Sequence, residues 1–208
     1  MIDFQLDFEQ QTEQPNGFWL SHWQLHRDES HLDSTVALPL NAVFEWNQTR
    51  FQLMSQQGNR LQFLAKAPIS LPADTPFVFV KNHQAWWFLE EFSAPFNTEA
   101  PLLITASNHA IATALYLSQQ LKSTFQIQVL LHSDADFPFI VKPAHFIWPG
   151  APAEAIGAAT LLEDWQIPNR LCHTPFRPGC YEGSLEGFLT EWQPEPNYQI
   201  IHCNSFLY

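Results

Sequence analysis

The second half of the chain alternates short apolar runs with segments of helical period, and this alternation constrains the fold more than any other feature. Leu102 to Ala106 is an apolar run; Ile111, Leu115 and Leu121 then recur at helical spacing, with Ala112 and Ala114 beside them. Phe125 to Leu131 reads as the next strand. A helix is expected from about Pro152 to Trp165, with its proline in the first turn. Arg170–His173 is a short strand, Ser184 caps a helix that runs to Trp192 and ends before Pro194, and Tyr198–His202 is the last strand. Strands separated by helices predict a parallel sheet with helices on its faces.

The first half reads differently. Residues 1–17 are polar and rich in Gln and Glu, ending in Pro15-Asn16-Gly17, and are expected to form a leader, extended or loosely attached. From Phe18 to Phe92 the signals are those of strands. Thr49–Met54 alternates, Arg60–Phe63 resumes after Gln57-Gly58-Asn59, and the pair predicts a hairpin. Phe77–Val80 and Ala85–Leu89 are further strands, and Pro68, Pro72 and Pro76 break the stretch between. Short strands without a long helix predict a small antiparallel barrel over residues 18–97. The segment "SAPFNTEAP" then links it to an α/β domain over 98–208.

Composition excludes several classes. Apolar residues make up 46 % of the 208, with eight Trp and 18 Phe, which is ample for a core and argues against disorder. Nine Lys and Arg against 21 Asp and Glu give a formal charge of −12. A phosphate backbone or an anionic membrane surface would be repelled, so no nucleic-acid partner is expected. Met1-Ile2-Asp3-Phe4 has no basic signal-peptide start, and no uncharged apolar run approaches spanning length, so a cytoplasmic protein without membrane insertion is expected. Three cysteines, Cys172, Cys180 and Cys203, form no C-x-x-C pair and read as reduced thiols; their number excludes a four-Cys iron–sulfur cluster held by this chain alone.

Ser107-Asn108-His109 sits between the first strand and helix of the α/β part, where nucleotide-binding units place a turn against phosphate. Such turns carry glycines, and there is none here from Thr98 until Gly150. The three residues can therefore serve a pyrophosphate through the helix N-terminus, or form an ordinary cap whose side chains fill the phosphate space. Cys203 ends a strand at the edge where α/β sheets place ligands, and its alternative role is a small buried hydrophobe. Gly179, Gly183 and Ser184 form a loop and cap that can shape the adenosine end of a dinucleotide pocket or simply turn the chain. His22, His26 and His31 can hold a metal or lie on a solvated surface, and His132, Asp134 and Asp136, which follow a strand, can hold a metal or ribose or form a solvated loop. Of Trp86, Trp87 and Phe88, alternate side chains face opposite ways in a strand, leaving either one or two for a ligand. There is no Gly-x-Ser-x-Gly and no Walker loop.

A barrel followed by such an α/β domain resembles the ferredoxin reductase-like superfamily. "SAPFNTEAPLLITASNHAIATALYLSQQLK" resembles that family's junction, "PGCYEGSLEGFLTEW" its later Gly-x-x-Gly segment, and "YQIIHCNSFLY" its final strand, which ends in Cys-Gly-Pro. The short barrel and compact second domain look most like the electron-transfer subunit associated with dihydroorotate dehydrogenase. The resemblance implies FAD or FMN in the barrel and NAD(P)H on the α/β domain, with Cys203 near the nicotinamide. Ser107, Asn108, His109, Gly179, Gly183, Ser184, Asn204 and Ser205 would be cofactor-binding. Glu182 would oppose a 2′-phosphate, which favours NADH. The implied activity is flavin- and NAD(P)H-linked electron transfer, by an oxidoreductase or a subunit of one, with a redox or assembly protein as partner. The alternative is a non-catalytic descendant of the fold that acts as a binding subunit. The chain departs from the family in three places: the glycine-poor turn, Asn204-Ser205 after Cys203, and the absence of the arginine-and-hydroxyl run that holds flavin, since Arg27, Arg50 and Arg60 precede Asp28-Glu29, Phe51-Gln52 and Leu61-Gln62.

Overall fold

A computed structural model of the protein describes residues 4–14, 17–26, 42–71, 77–80, 85–86 and 97–203. The chain forms two compact units, one reaching to Ala94 and the other covering Pro95–Ser205.

In the first unit, β1 (Phe4–Glu13), β2 (Trp19–His26), β3 (Val43–Trp46), β4 (Thr49–Gln57), β5 (Arg60–Ala65), β6 (Phe77–Val80) and β7 (Ala85–Trp86) make one antiparallel sheet in the order β6-β1-β2-β5-β4-β3-β7. The sheet curls into a half-barrel, bringing β3 and β6 together from near opposite ends of that order. Trp23 fills its core, fully buried, with its ring edge-on to Phe8, Phe44 and Phe51 and its indole N–H donated to Ser21 Oγ at 2.7 Å. The hairpin expected at Gly58 joins β4 to β5, and Gly58 takes the left-handed φ of +61° that such a turn demands.

The polar leader is not a loose segment. It is β1, paired with β2 along one side and β6 along the other. The reason lies in Leu6, fully buried, and Phe8, whose ring meets Trp23 at 5.3 Å, so that apolar side chains alternate with the polar Gln5, Asp7 and Glu9. The strand expected over Ala85–Leu89 is described only as β7; Trp87, Phe88 and Leu89, like Arg27 and His31, lie outside the described residues.

The second unit is built on five parallel strands in the order β13-β12-β9-β8-β14. These are β8 (Leu102–Ser107), β9 (Ile127–Ser133), β12 (Asn169–His173), β13 (Tyr181–Glu182) and β14 (Gln199–Cys203). Helix α1 (Ile111–Leu121) packs on β8, β9 and β14. Helix α3 (Leu185–Trp192) sets Phe188 against Leu103, Leu130, Cys172 and Trp148. Ser184 caps it as expected, its Oγ accepting from Gly187 N at 3.2 Å.

The helix expected from Pro152 to Trp165 does not form over most of its length. Gly157–Ala159 is a strand, β11, paired antiparallel with β10 (Val141–Pro143), and only Thr160–Asp164 is helical (α2). The alanines favour helix locally, but the backbone of Gly157 is held flat against a neighbouring chain segment. Its N–H donates to Gly179 O at 2.6 Å, and a Cβ there would lie 2.8 Å from both that oxygen and Val141 Cγ1. Glu163, 4 % exposed at its side chain, pins this excursion to the sheet. One carboxylate oxygen accepts from His145 N at 2.7 Å and the other from Asn169 Nδ2 at 2.9 Å, while Asn169 Oδ1 accepts from Ala159 N at 2.7 Å.

Candidate functional site

The carboxyl ends of the five parallel strands gather most of the residues singled out from the sequence. Cys203 is in register with Ala106, Ser107 with His132, His173 with Ser133, and His173 also with Glu182. The edge therefore runs from Cys203 through the Ser107–Asn108 turn, the exit of β9 and the exit of β12 to the loop at Gly183. In α/β sheets this is the edge that meets ligands, because the strand-to-helix turns and helix N-termini point that way.

The turn after β8 answers the glycine question. Ser107 is extended (φ −118°), Asn108 is left-handed (φ +52°), and Asn108–Ala110 form a single 3-10 turn leading into α1. Asn108 thus adopts the backbone conformation for which such turns use glycine, and asparagine is among the few residues that tolerate it. Its side chain is turned toward β9: Oδ1 accepts from Asp134 N at 3.0 Å and from Ser133 Oγ at 3.3 Å. The expected side-chain cap is absent, since neither Ser107 nor Ala110 makes one. The helix N-terminus keeps its partial positive charge with no side chain of its own spent on it.

His132, His173 and Asp136 beside the turn are engaged within the protein. His173, 7 % exposed, sets its ring nitrogens against Ala135 O at 2.9 Å and Pro175 O. His132 lies beside Thr174 Oγ1 at 3.4 Å; burial lowers its imidazole below the ordinary range, with Asp134 pushing partly back. Asp136 pairs with Arg177 at 2.6 Å. In the first unit His26 pairs with Asp7 at 2.9 Å. Among the described residues no three His, Cys, Asp or Glu side chains come together as a metal site.

Cys203 is buried, and burial pushes its thiol up to about 12. It is a neutral apolar group at neutral pH, not a thiolate. At the other end of the edge, Gly179 (φ +83°) and Gly183 (φ +143°) take conformations suited to glycine. Tyr181, which the sequence reading passed over, explains a second constraint there. A Cβ at Gly183 would lie 3.1 Å from its ring, and one at Gly187 would lie 3.2 Å from its hydroxyl, so the phenol lies across the first turn of α3. The spacing Tyr-x-Gly-x-x-x-Gly was the available signal. Asn204 and Ser205 fall outside the described residues, as does the side chain of His109.

No protein-family model matches the sequence, and no curated protein matches it. Solved structures do match the fold. A flavohemoglobin from Malassezia yamatoensis, with bound FAD and heme, superposes with a TM-score of 0.59 at 9 % identity, over 97 % of this chain and 53 % of the other. A siderophore-interacting protein from Acinetobacter baumannii gives 0.53 at 8 % identity over 97 % and 78 %, and the ferredoxin reductase of carbazole 1,9a-dioxygenase 0.56 at 9 % over 97 % and 60 %. The chain therefore spans about half of the flavohemoglobin it matches. It has the ferredoxin reductase-like fold, an antiparallel half-barrel followed by a five-stranded parallel α/β unit. Among the described residues no helix is long and apolar enough to cross a membrane.

The flavohemoglobin of this fold holds FAD. At the Ser107–Asn108 turn the left-handed residue is bonded to β9 through its side chain, and no side chain caps the helix behind it. Arg50 pairs with Glu45 at 3.5 Å, and no residue here is assigned to a flavin.

Proposed function

We propose that this chain works in flavin- and NAD(P)H-linked electron transfer, as an oxidoreductase or a subunit of one, and that its α/β unit takes the nicotinamide dinucleotide along the carboxyl edge of the parallel sheet. The observation that supports this is the left-handed, uncapped turn at Asn108, in register with the strand that Cys203 ends. When bound, the dinucleotide would supply hydride to a flavin; the chain's own work is positioning. Backbone N–H groups at the start of α1 would hold the pyrophosphate, aided by the helix dipole. The Gly179–Ser184 loop would border the adenosine end, where exposed Glu182 disfavours a 2′-phosphate and selects NADH. Cys203, neutral and buried, would bound the nicotinamide end as an apolar wall rather than act as a nucleophile.

Two measurements test this reading. Calorimetric titration should give NADH binding that is tighter than NADPH binding. The protein reconstituted with FAD or FMN should retain the flavin's visible absorption after gel filtration. A colourless protein that takes up neither flavin nor NADH would support the second reading, a non-catalytic binding subunit in a redox assembly. That reading is favoured by one observation: a Cβ stands at Asn108, where the family's turn has none, and limits how near a phosphate can come.

A further inference from the structure

The opposite, amino-terminal edge of the parallel sheet carries a cavity of about 350 Å³, which falls in the size range of small-molecule sites. It lies away from the carboxyl ends of the strands. Its walls come from the residues that precede β8, β9, β12 and β14, together with the segments that follow α1 and α2.

The chemistry of the walls is specific. Trp165, Tyr198 and Phe125 supply aromatic surface. The single ionisable cation is Lys122, just past the end of α1, with its ammonium 5.4 Å from the centre of the Trp165 ring. No Asp or Glu lines the cavity, in a chain where acids outnumber Lys and Arg 21 to nine. Lys122 has no carboxylate partner among the described residues. Tyr198 donates its hydroxyl to Gln128 Oε1 at 3.1 Å, which occupies one acceptor site of that amide and leaves its N–H groups. The cavity's one formal charge is therefore positive, and the amides of Gln126, Gln128 and Gln166 add N–H donors beside their carbonyl oxygens. A ligand complementary to them bears acceptor oxygens, carries negative charge and presents a flat face to the rings.

We propose that this cavity is a second ligand site, and that it takes a small planar aromatic carboxylate, with Lys122 receiving the carboxylate and Trp165 and Tyr198 the ring. The site is separate from any dinucleotide at the carboxyl edge, and the proposal stands whether or not NADH binds there.

The probe is 2-naphthoate, titrated into the full chain by calorimetry and by ¹H–¹⁵N NMR, with Trp165→Phe used to assign the Trp165 indole resonance. Binding should shift that resonance and should be unaffected by saturating NADH. Lys122→Met, an exposed substitution that leaves the fold intact by circular dichroism, should weaken binding about tenfold, and so should replacing the probe by neutral 2-naphthamide. The proposal is overturned by any of three results: no binding at millimolar naphthoate, binding that leaves the Trp165 resonance in place, or equal affinity for the carboxamide.

Discussion

Replacing Asn108 by alanine, glycine and aspartate in turn separates the two things this residue does. It holds a left-handed backbone at φ +52°, and its Oδ1 accepts from Asp134 N at 3.0 Å. Alanine loses both: the left-handed conformation costs about 1–2 kcal/mol for a residue with an ordinary Cβ, and the lost hydrogen bond about 1 kcal/mol. The longer contact from Ser133 Oγ, at 3.3 Å, adds little. Asn108→Ala should therefore destabilise by about 2–3 kcal/mol. Glycine is free of the conformational strain but loses the bond and adds disorder to the unfolded chain, for about 1–2 kcal/mol in all. Aspartate keeps the acceptor oxygen and tolerates the conformation, so it should stay within about 0.5 kcal/mol of wild type. Urea unfolding followed by tryptophan fluorescence, compared at constant m-value, measures the series. The order Asp, Gly, Ala from most to least stable is the expected outcome. An alanine variant as stable as the glycine variant would refute the assignment of strain to this turn. Glycine should also raise NADH affinity if a phosphate approaches this backbone, since it removes the only Cβ at the left-handed position.

Gly157→Ala should destabilise by about 1–3 kcal/mol and be seen as a lowered thermal midpoint, because the new Cβ would meet Gly179 O and Val141 Cγ1 at 2.8 Å. Glu163→Ala should cost about 2 kcal/mol, leaving the N–H of His145 and the amide of Asn169 without their acceptor, and Glu163→Gln should recover part of that loss in the same urea assay. Alkaline pH should unfold the protein: Cys203 titrates near 9 when unfolded but is held up to about 12 by burial, so its stabilising share is complete below pH 9 and disappears between pH 9 and 12. Tyr116, pushed up to about 12 by burial, acts in the same direction, and a stability curve flat across that range would contradict both. The same burial makes Cys203 slow to react with iodoacetamide at pH 8 in the folded protein and fast in urea, which mass spectrometry of the modified peptide resolves.

Elements whose own side chains report their surroundings could be read without tertiary information. Leu102–Ala106 is apolar but for Thr105 because it is buried throughout, and the hairpin at Gly58 needs a left-handed residue that only a few side chains tolerate. Strand ends can be placed too: Ser107 ends β8, Glu182 ends β13 and Cys203 ends β14, all at the carboxyl edge of one sheet. Local pattern misled where distant backbone took over. The alanines before Trp165 prefer helix by a few tenths of a kcal/mol each, and the antiparallel pairing of Gly157–Ala159 with Val141–Pro143 outweighs them. The polar residues of Phe4–Glu13 hid a strand whose apolar partners, Trp23 above all, come from another part of the chain. The glycine-free turn could be read only as a doubt, because what lets asparagine stand there is an oxygen held by Ser133 and Asp134, 25 and 26 residues onward. A sequence states which conformations each residue tolerates; which of them is occupied depends on hydrogen-bond partners that only the folded chain brings within reach.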